Sequence, residues 1–474
     1  MSDDAAAPRP APRVPVAFLI ALTALTLLFL IFAIRRSNRT TLRGDEIMTL
    51  FHNRDGKSLL EVALKGERGQ ISRAPLYYLV DRSMDASRHA LRYLGLTPPG
   101  YYRLPSILFT AGFGLAAALL TAFRVRRQES QRGIPELLIL CALATYWFNP
   151  KVYSFACTER PYSLWNGLWL LALTLLLCRP QSRLPILVTL CLLASAASIS
   201  CFQILAIGIA MLILNRIEGR PVKPTLRDLL RTLAAPLLVG AYYALRSDPY
   251  AFEERDYGEA AQGFVKFWLV TNLPAWIAAA AACGLTLSRP KLREYALPAC
   301  TLAVLLFLMP VIFTLAYSKG YSSPSRQYLW TATALPLVLM TAALGWQEIR
   351  RWRPAPAIAL VLGIGLAAGH MVANFARPQR RNDSRELVFL DRGSPLEVLL
   401  RSERPRNLYL ATDTQEIEMK NFHLIAEWIR VRYAERPLGS TDFFIRDVQG
   451  RLVSDPPGSL PESKTGFIGV SLSP

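Results

Sequence analysis

Residues Val14–Ile34 read VPVAFLIALTALTLLFLIFAI, a run without a single charged side chain. As an α-helix, about twenty residues span about 30 Å, the thickness of the hydrocarbon core of a bilayer. The backbone must be helical there, because unpaired peptide groups find no water inside the hydrocarbon. The run therefore predicts a membrane-spanning helix. A cleaved signal peptide is the alternative, but no small-residue cleavage site follows the run.

Similar apolar runs recur along the chain, which has 474 residues, 52% of them hydrophobic, and a mean hydropathy of +0.25. A soluble domain of this length would not need so much apolar sequence. We predict an all-α polytopic membrane protein of about eleven spans, with interfacial helices in its first outer loop and a small C-terminal α/β domain. The predicted spans are Val16–Ile34, Leu104–Phe123, Ile134–Phe148, Tyr162–Leu177, Leu184–Ser198, Phe202–Leu214, Leu233–Leu245, Val265–Leu285, Ala296–Tyr317, Tyr328–Trp346 and Pro356–Phe375.

Basic residues indicate how these spans are oriented. They concentrate in four short loops that all fall on the side of the N-terminus when eleven spans are counted. Because positively charged loops stay in the cytoplasm, that side is predicted to be cytoplasmic. This topology also accounts for the net charge of +19 without nucleic acid as a partner. The loops contain Arg124, Arg126, Arg127 and Arg132; Arg216, Arg220, Lys223, Arg227 and Arg231; Arg289, Lys291 and Arg293; and Arg350, Arg351 and Arg353.

The same count divides the chain into three parts. Residues 1–15 form a cytoplasmic tail, residues 16–375 a transmembrane domain with its first outer loop at 35–103, and residues 376–474 an extracytoplasmic domain. Within the outer loop, Pro75–Leu96 has apolar residues at helical spacing but too many charges for lipid, which predicts an amphipathic helix at the interface. In the C-terminal domain we predict two strands and an amphipathic helix, at Asn407–Ala411, Asp442–Arg446 and Phe422–Tyr433.

Acidic and basic residues crowd the predicted outer face just after the first span. A carboxylate at a membrane surface, such as Asp45 or Glu46, can act as a general base towards an incoming hydroxyl, although most acidic loop residues are simply solvated. Four arginines precede or adjoin this pair against the positive-inside trend. They suit a phosphate group, and they equally suit anionic lipid headgroups in general. These arginines are Arg35, Arg36, Arg39 and Arg43.

Five short segments on this predicted face carry a family resemblance. They are Asp45-Glu46, Ala74–Tyr78, Arg103–Ser106, Glu159–Tyr162 and Arg326–Tyr328. In order and spacing they resemble the polytopic C-type glycosyltransferases that use polyprenyl-phosphate sugars, above all the protein O-mannosyltransferases and the lipid A aminoarabinose transferases. The resemblance covers roughly residues 16 to 375.

The chain departs from the family pattern in two places. Where the family often has a histidine before the first proline of its Pro-Pro-Leu-Tyr-Tyr element, this chain has Arg73-Ala74 before Pro75. In the late Arg-Tyr element, Gln327 separates Arg326 from Tyr328. These departures bear on the donor sugar and the acceptor more than on the type of reaction.

The resemblance implies transfer of a sugar, with inversion, from a polyprenyl-phosphate donor to an extracytoplasmic glycolipid, polysaccharide or protein at the cytoplasmic (inner) membrane. Membrane lipids are the remaining partners. Asp45 would be the general base, and Glu46 and Glu159 are the other candidate catalytic carboxylates. Arginine at helix ends also snorkels to headgroups, and interfacial tyrosines commonly form aromatic belts. Candidate phosphate-binding residues are Arg326, Arg103, Arg160 and Arg43, and candidate cleft-lining residues are Tyr77, Tyr78, Tyr162 and Tyr328.

No cofactor is predicted. Two carboxylates on one face leave a divalent metal possible, but seven cysteines and four histidines show no ligand spacing. A transporter or flippase of a lipid-linked sugar is the main rival function, and it would place ionisable residues near the bilayer midplane. A cell-envelope polysaccharide polymerase or ligase and a non-catalytic assembly partner are the others. The sugar, the acceptor and the oligomeric state have no signature in the sequence.

Overall fold

The computed structural model describes residues 14–40, 46, 59–65, 75–91, 96, 98–128, 133–219, 221–246, 257–317, 328–351, 354–376, 407–411, 443–446 and 469–471. Three of the candidate site residues lie outside these ranges, namely Asp45, Arg43 and Arg326. The predicted helix Phe422–Tyr433 also lies outside them.

Helices make up most of the described chain. The first outer loop contributes three short ones between the long α1 and α5, and the remainder follow in close succession. The helices are α1 (Val16–Arg39), α2 (Leu59–Lys65), α3 (Leu76–Leu91), α4 (Pro98–Tyr102), α5 (Leu104–Gln128), α6 (Ile134–Trp147), α7 (Pro150–Ala156), α8 (Tyr162–Cys178), α9 (Arg183–Ala196), α10 (Ser200–Ile217), α11 (Val222–Arg246), α12 (Tyr257–Lys266), α13 (Leu273–Ser288), α14 (Ala296–Tyr317), α15 (Ala334–Leu344), α16 (Trp346–Ile349) and α17 (Ala355–Ala376). A π-helical turn (Phe267–Thr271) joins α12 to α13, and 3₁₀ turns precede α14 (Pro290–Tyr295) and α15 (Leu329–Thr333).

Five of the described helices are long and apolar enough to cross a membrane, and a bent pair would make a sixth. The five are Val16–Arg39, Leu104–Arg127, Ser200–Ile217, Pro290–Leu315 and Ala357–Asn374. The other predicted spans contain shorter apolar helices of 10–17 residues: Ile134–Trp147, Tyr162–Cys178, Arg183–Ala196, Leu229–Leu245 and Leu329–Leu344. The chain is therefore helical with several candidate spans, and the count of eleven stays a prediction.

Ion pairs join several helix termini at one end of the bundle. Arg124, at the end of α5, lies 3.0 Å from Glu294, and Lys291 lies 3.4 Å from Glu348. Arg126 pairs with Glu136 in the first turn of α6. These contacts bring three of the four basic loops to the same end of the bundle. The predicted topology places all the basic loops on one side of the membrane, and this arrangement agrees with it. Which side of the membrane this end faces stays a prediction.

Small residues let the central helices approach closely. A Cβ on Gly167 of α8 would lie 2.6 Å from the Phe113 ring of α5, so only glycine fits at this crossing. Trp147, at the end of α6, lies against Gly114, and its ring N–H donates to the Thr110 carbonyl at 2.9 Å. The hydrogen bond satisfies a polar atom that would otherwise be buried without a partner. These contacts pack α5 closely against α6 and α8.

The predicted span Val265–Leu285 is bent in the structure. Its helix begins earlier, at Tyr257, passes through the π turn and changes direction by 48° before Leu273. Asn272 fills the break, and its side-chain amide donates to the Phe267 carbonyl at 2.9 Å. The same carbonyl accepts the Asn272 backbone N–H at 3.1 Å, so Asn272 closes the π turn with both its backbone and its side chain.

The first outer loop packs against the opposite end of the bundle from these basic loops. In it, α3 is the predicted amphipathic helix, although it ends at Leu91 rather than Leu96. The shorter α2 accepts hydrogen bonds of 2.9 Å on two of its carbonyls, from Tyr242 and Tyr243 near the end of α11. Within the described part of the loop, α2 therefore packs against the end of α11.

Three short strands form the described part of the C-terminal region. They are β1 (Asn407–Ala411), β2 (Phe443–Arg446) and β3 (Gly469–Ser471), in the order β2-β1-β3. The pairing of β1 with β2 is parallel, and that with β3 is antiparallel. The first two coincide with the strand segments predicted from sequence, and the α/β domain as a whole stays a prediction.

Candidate functional site

A buried ion pair lies at the centre of the candidate site. The Arg103 guanidinium donates two parallel hydrogen bonds to the Glu46 carboxylate, from Nε to Oε1 at 2.7 Å and from Nη2 to Oε2 at 2.6 Å. Each side chain is only 1% exposed. This bidentate arrangement is the strongest geometry that an arginine and a carboxylate can form. It joins the first outer loop to the start of α5.

Arg103 also fastens the end of α1. Its third nitrogen, Nη1, donates to the Ser37 carbonyl at 3.2 Å, to the Thr40 carbonyl at 3.1 Å and to the Thr40 hydroxyl. Burial acts to lower the pKa of Arg103, but the Glu46 carboxylate outweighs it and holds that pKa above its ordinary value. The guanidinium therefore stays charged while it holds helix carbonyls that lack partners within α1.

The loop between α7 and α8 closes on the same carboxylate. The Glu159 backbone N–H donates to Glu46 Oε1 at 2.7 Å, so this one oxygen accepts from two different segments of chain. The Glu159 side chain is fully buried, and its negative charge also helps to keep the pKa of Arg103 raised. Two predicted carboxylates and one predicted arginine therefore lie together.

A second set of hydrogen bonds connects α3 to the same place. The Tyr77 hydroxyl and the Ser106 hydroxyl are 3.1 Å apart, and Ser106 Oγ donates to the Arg160 carbonyl at 3.3 Å. Tyr77 belongs to the Ala74–Tyr78 segment, Ser106 to Arg103–Ser106 and Arg160 to Glu159–Tyr162. Four of the five segments that carry the family resemblance therefore contribute to one cluster.

Arg103 and Glu46 pair with each other in the structure, and their predicted catalytic roles stay predictions. We predicted Arg103 as a phosphate ligand and Glu46 as a catalytic carboxylate. In the structure they bind each other, out of contact with solvent, and their hydrogen bonds hold α1, α5 and the α7–α8 loop together. Asp45, Arg43 and Arg326 lie outside the described residues, and Arg160, whose side chain is half-buried, is the remaining described candidate for phosphate.

Three of the four tyrosines predicted to line a cleft are packed into the protein instead. Tyr77, Tyr78 and Tyr328 are at most 1% exposed. The Tyr77 and Tyr78 rings meet edge to face at 5.8 Å, and the Tyr328 hydroxyl donates to the Met309 carbonyl at 3.2 Å. Tyr162 is half-buried and packs on Phe155, with ring centroids 4.8 Å apart.

Tyr328 belongs to a neighbouring aromatic cluster that includes a lysine. Its ring lies 5.7 Å from Phe267 in the π turn and 5.9 Å from Phe264. The Lys151 ammonium of α7 lies 4.7 Å above the Phe267 ring, a cation–π distance. Lys151 was missed in the sequence analysis, although a lysine at a helix end that is predicted to face outwards is itself contrary to the positive-inside trend.

The short helix α7 stands between this cluster and the buried ion pair. Its N-cap is Asn149, whose side chain accepts from the Lys151 and Val152 backbone N–H groups at 3.0 and 3.4 Å. On the other side of α7, the Arg36 guanidinium of α1 lies 5.1 Å above the Tyr153 ring. One short helix therefore contacts α1 and the π turn.

Among the residues that the structure describes, no group of three or more histidine, cysteine, aspartate or glutamate side chains could hold a metal ion. That leaves the predicted lack of a cofactor untested, because Asp45 is not among them.

A comparison with the known protein families, with curated proteins and with solved structures finds no match to this chain. The family resemblance therefore rests on the five segments and on their residues alone.

Proposed function

We propose that this protein is a membrane-embedded inverting glycosyltransferase that moves a sugar from a polyprenyl-phosphate donor to an extracytoplasmic glycolipid, glycan or protein. The observation that supports it most is the meeting of four motif segments around Glu46 at one end of the bundle. These segments are far apart in sequence, and a resemblance by chance would not require them to touch. The cluster also lies at helix ends, where a protein meets lipid headgroups.

In the proposed reaction, Asp45 takes the proton from the acceptor hydroxyl as its oxygen attacks the anomeric carbon. The bond from that carbon to the phosphate oxygen breaks, and the phosphate leaves with the electron pair on the opposite face, which inverts the configuration. Because Asp45 is bonded directly to Glu46, the fixed position of Glu46 limits how far the base can lie from the cluster. Glu159, whose side chain is buried, orients its neighbour Arg160.

The departing phosphate needs positive charge that is already in place when the bond breaks. We assign this role to Arg326 first and to Arg160 second, with Arg43 as a further candidate. Arg103 serves the reaction indirectly, because it holds the loop that carries Asp45. No metal is part of this mechanism.

The proposed topology places the site outside the cell's cytoplasmic membrane. It has eleven spans, a cytoplasmic N-terminus and an extracytoplasmic C-terminal α/β domain. The five shorter apolar helices and the bent pair supply the six spans beyond the five long ones. The shared end of the basic loops supports this count, since a missing span would divide them between two sides.

A transfer assay tests the proposal. Purified protein in lipid is given radiolabelled polyprenyl-phosphate sugars and a membrane extract as the acceptor. We expect transfer by the wild type, a loss of more than about a hundredfold in Asp45→Asn because the base is gone, and a loss of about ten- to a hundredfold in Arg326→Ala. Glu259→Gln, which changes an exposed carboxylate on α12, is the matched control and should transfer at the wild-type rate.

The outcomes separate the candidate roles. Full activity in Asp45→Asn would remove Asp45 as the base. Transfer from none of the donors by the wild type would contradict the proposal itself.

A further inference from the structure

Lys151 is a cation whose charge has no counterpart in the described structure. Its side chain is half-buried on α7, and it takes part in none of the ion pairs among the described residues. Its ammonium faces the Phe267 ring instead. Burying an ammonium without an anion costs free energy, and an aromatic ring compensates only part of that cost. Burial accordingly holds the pKa of Lys151 below its ordinary value.

The surroundings of Lys151 are aromatic and belong to segments near the end of the bundle. Phe267, Phe264 and Tyr328 form one contiguous ring cluster, with the Phe267 ring directly under the ammonium. Tyr328 follows Arg326, the proposed phosphate ligand, by two residues in the sequence. An anion beside Lys151 would therefore lie next to the element that the proposed function already assigns to phosphate.

The bent helix beside Lys151 has one face against the bundle and one exposed face. Phe267 points into the bundle and is 8% exposed, whereas Leu269, Val270 and Leu273 are 50%, 65% and 52% exposed on the outer side. Large apolar side chains exposed on one face of a helix are typical of a surface that borders hydrocarbon. The π turn and the 48° bend occur at this same point, and π turns are frequent at functional sites.

We infer that Lys151 binds the phosphate of a lipid that enters beside the bent helix, with the Phe264–Phe267–Tyr328 cluster beneath it. This inference rests on the proposed function for the nature of the lipid, a polyprenyl phosphate. A lysine suits this task, because a point charge with three donors adapts to a phosphate that moves as its sugar departs. The site would hold the donor before transfer and the free lipid phosphate after it.

A binding experiment tests the inference without requiring transfer. Full-length protein in neutral lipid nanodiscs is titrated with a short-chain polyprenyl monophosphate, with the uncharged polyprenol of the same length and with inorganic phosphate. Binding is followed by the fluorescence of the tryptophans, of which Trp268 and Trp330 lie beside the cluster. The variants are Lys151→Gln, Lys151→Arg and, as a matched control, Lys266→Gln, which changes an exposed lysine on the adjoining α12.

We expect the wild type to bind the polyprenyl monophosphate at least tenfold more tightly than the polyprenol. Lys151→Gln should lose about ten- to a hundredfold of the affinity for the monophosphate and none for the polyprenol, since one charge-assisted contact is removed. Lys151→Arg should retain most of it, and Lys266→Gln all of it. Weak binding of inorganic phosphate that is independent of Lys151 would identify the lipid as the source of the anion.

Three results would overturn the inference. They are wild-type affinity for the monophosphate in Lys151→Gln, an equal loss for both lipids, or inorganic phosphate that binds at Lys151 as tightly as the lipid does. Thermal unfolding of each variant controls for misfolding, and Lys151→Arg keeps the test informative if Lys151→Gln is unstable. If the protein binds polyprenyl monophosphate through Lys151 but transfers no sugar, the proposed function is wrong and the phosphate site is still supported.

Discussion

Arg103 and Glu46 are oppositely charged, and both side chains are buried away from solvent. Removing two such ions from water is costly, and their attraction offsets the cost only when the geometry is good and further hydrogen bonds satisfy the remaining donors. Both conditions hold here, since the contact is bidentate and Nη1 reaches two carbonyls of α1. The pair therefore fixes the relative positions of three chain segments rather than adding much net stability.

Breaking this pair from one side should be severe. Glu46→Gln leaves the Arg103 guanidinium buried without its anion, which we expect to cost about 3–5 kcal/mol of stability and to lower the unfolding temperature in detergent. Sugar transfer should fall as well, because Asp45 loses its anchor. The control is Glu294→Gln, which breaks the ion pair between Glu294 (46% exposed) and Arg124 (29% exposed). Because this pair is partly solvated, its loss should cost at most about 1 kcal/mol of stability. Equal effects of the two substitutions would refute the positioning role.

At the scale of single elements, the bent helix is the least regular part of the described chain. Asn272 lies in the break and is 3% exposed, and its amide satisfies the Phe267 carbonyl. Asn272→Leu keeps the volume and removes the side-chain donor, but the carbonyl still accepts the backbone N–H of residue 272, which lies at 3.1 Å. We therefore expect the substitution to cost about 0.5–1.5 kcal/mol, the contribution of one hydrogen bond. Because Phe267 then shifts beneath Lys151, we expect a clear loss of affinity for polyprenyl monophosphate. The unfolding temperature should fall only slightly. A drop in stability with unchanged lipid affinity would separate the bend from the lipid site.

Element positions follow from the sequence to different degrees. Apolar runs locate the helices because hydrocarbon forces any apolar segment to be helical, and each predicted span contains one. The short helix α7 was missed, although Asn149-Pro150 is a usual N-cap and first-turn pair. The π turn was also missed, since nothing in an apolar run marks where one residue is added to a turn.

Site residues were located better than their roles. Positions 46, 103 and 159 were singled out as chemically active, and the structure brings them together. Their pairing could not be predicted, because 57 residues separate Glu46 from Arg103 and no local pattern links them. Lys151 was missed because what distinguishes it is that no described carboxylate pairs with it. Only the packed structure can show whether a lysine has an anionic partner.

For the molecule as a whole, loop charge predicts that the cluster end faces away from the cytoplasm. A cysteine at exposed Glu259 of α12 should react with a membrane-impermeant maleimide from the extracytoplasmic side of sealed vesicles of known orientation. A cysteine at Glu294, which is 46% exposed at the other end, should react only after permeabilisation. Labelling of the unsubstituted chain, which has seven cysteines of its own, is the background to be subtracted. The reverse pattern would place the Glu46–Arg103 cluster in the cytoplasm and exclude the proposed topology.

The central claim is that this protein breaks the bond between a sugar and a lipid phosphate, and a doubly labelled donor tests it most directly. Vesicles containing the wild-type protein are given a polyprenyl-phosphate sugar with tritium in the sugar and ³²P in the phosphate, together with a membrane extract as the acceptor. We expect tritium to move to the acceptor fraction while ³²P stays in the polyprenyl phosphate. If the two labels stay together and cross the bilayer as one, the protein is a transporter of the intact lipid-linked sugar, and the glycosyltransferase assignment is wrong.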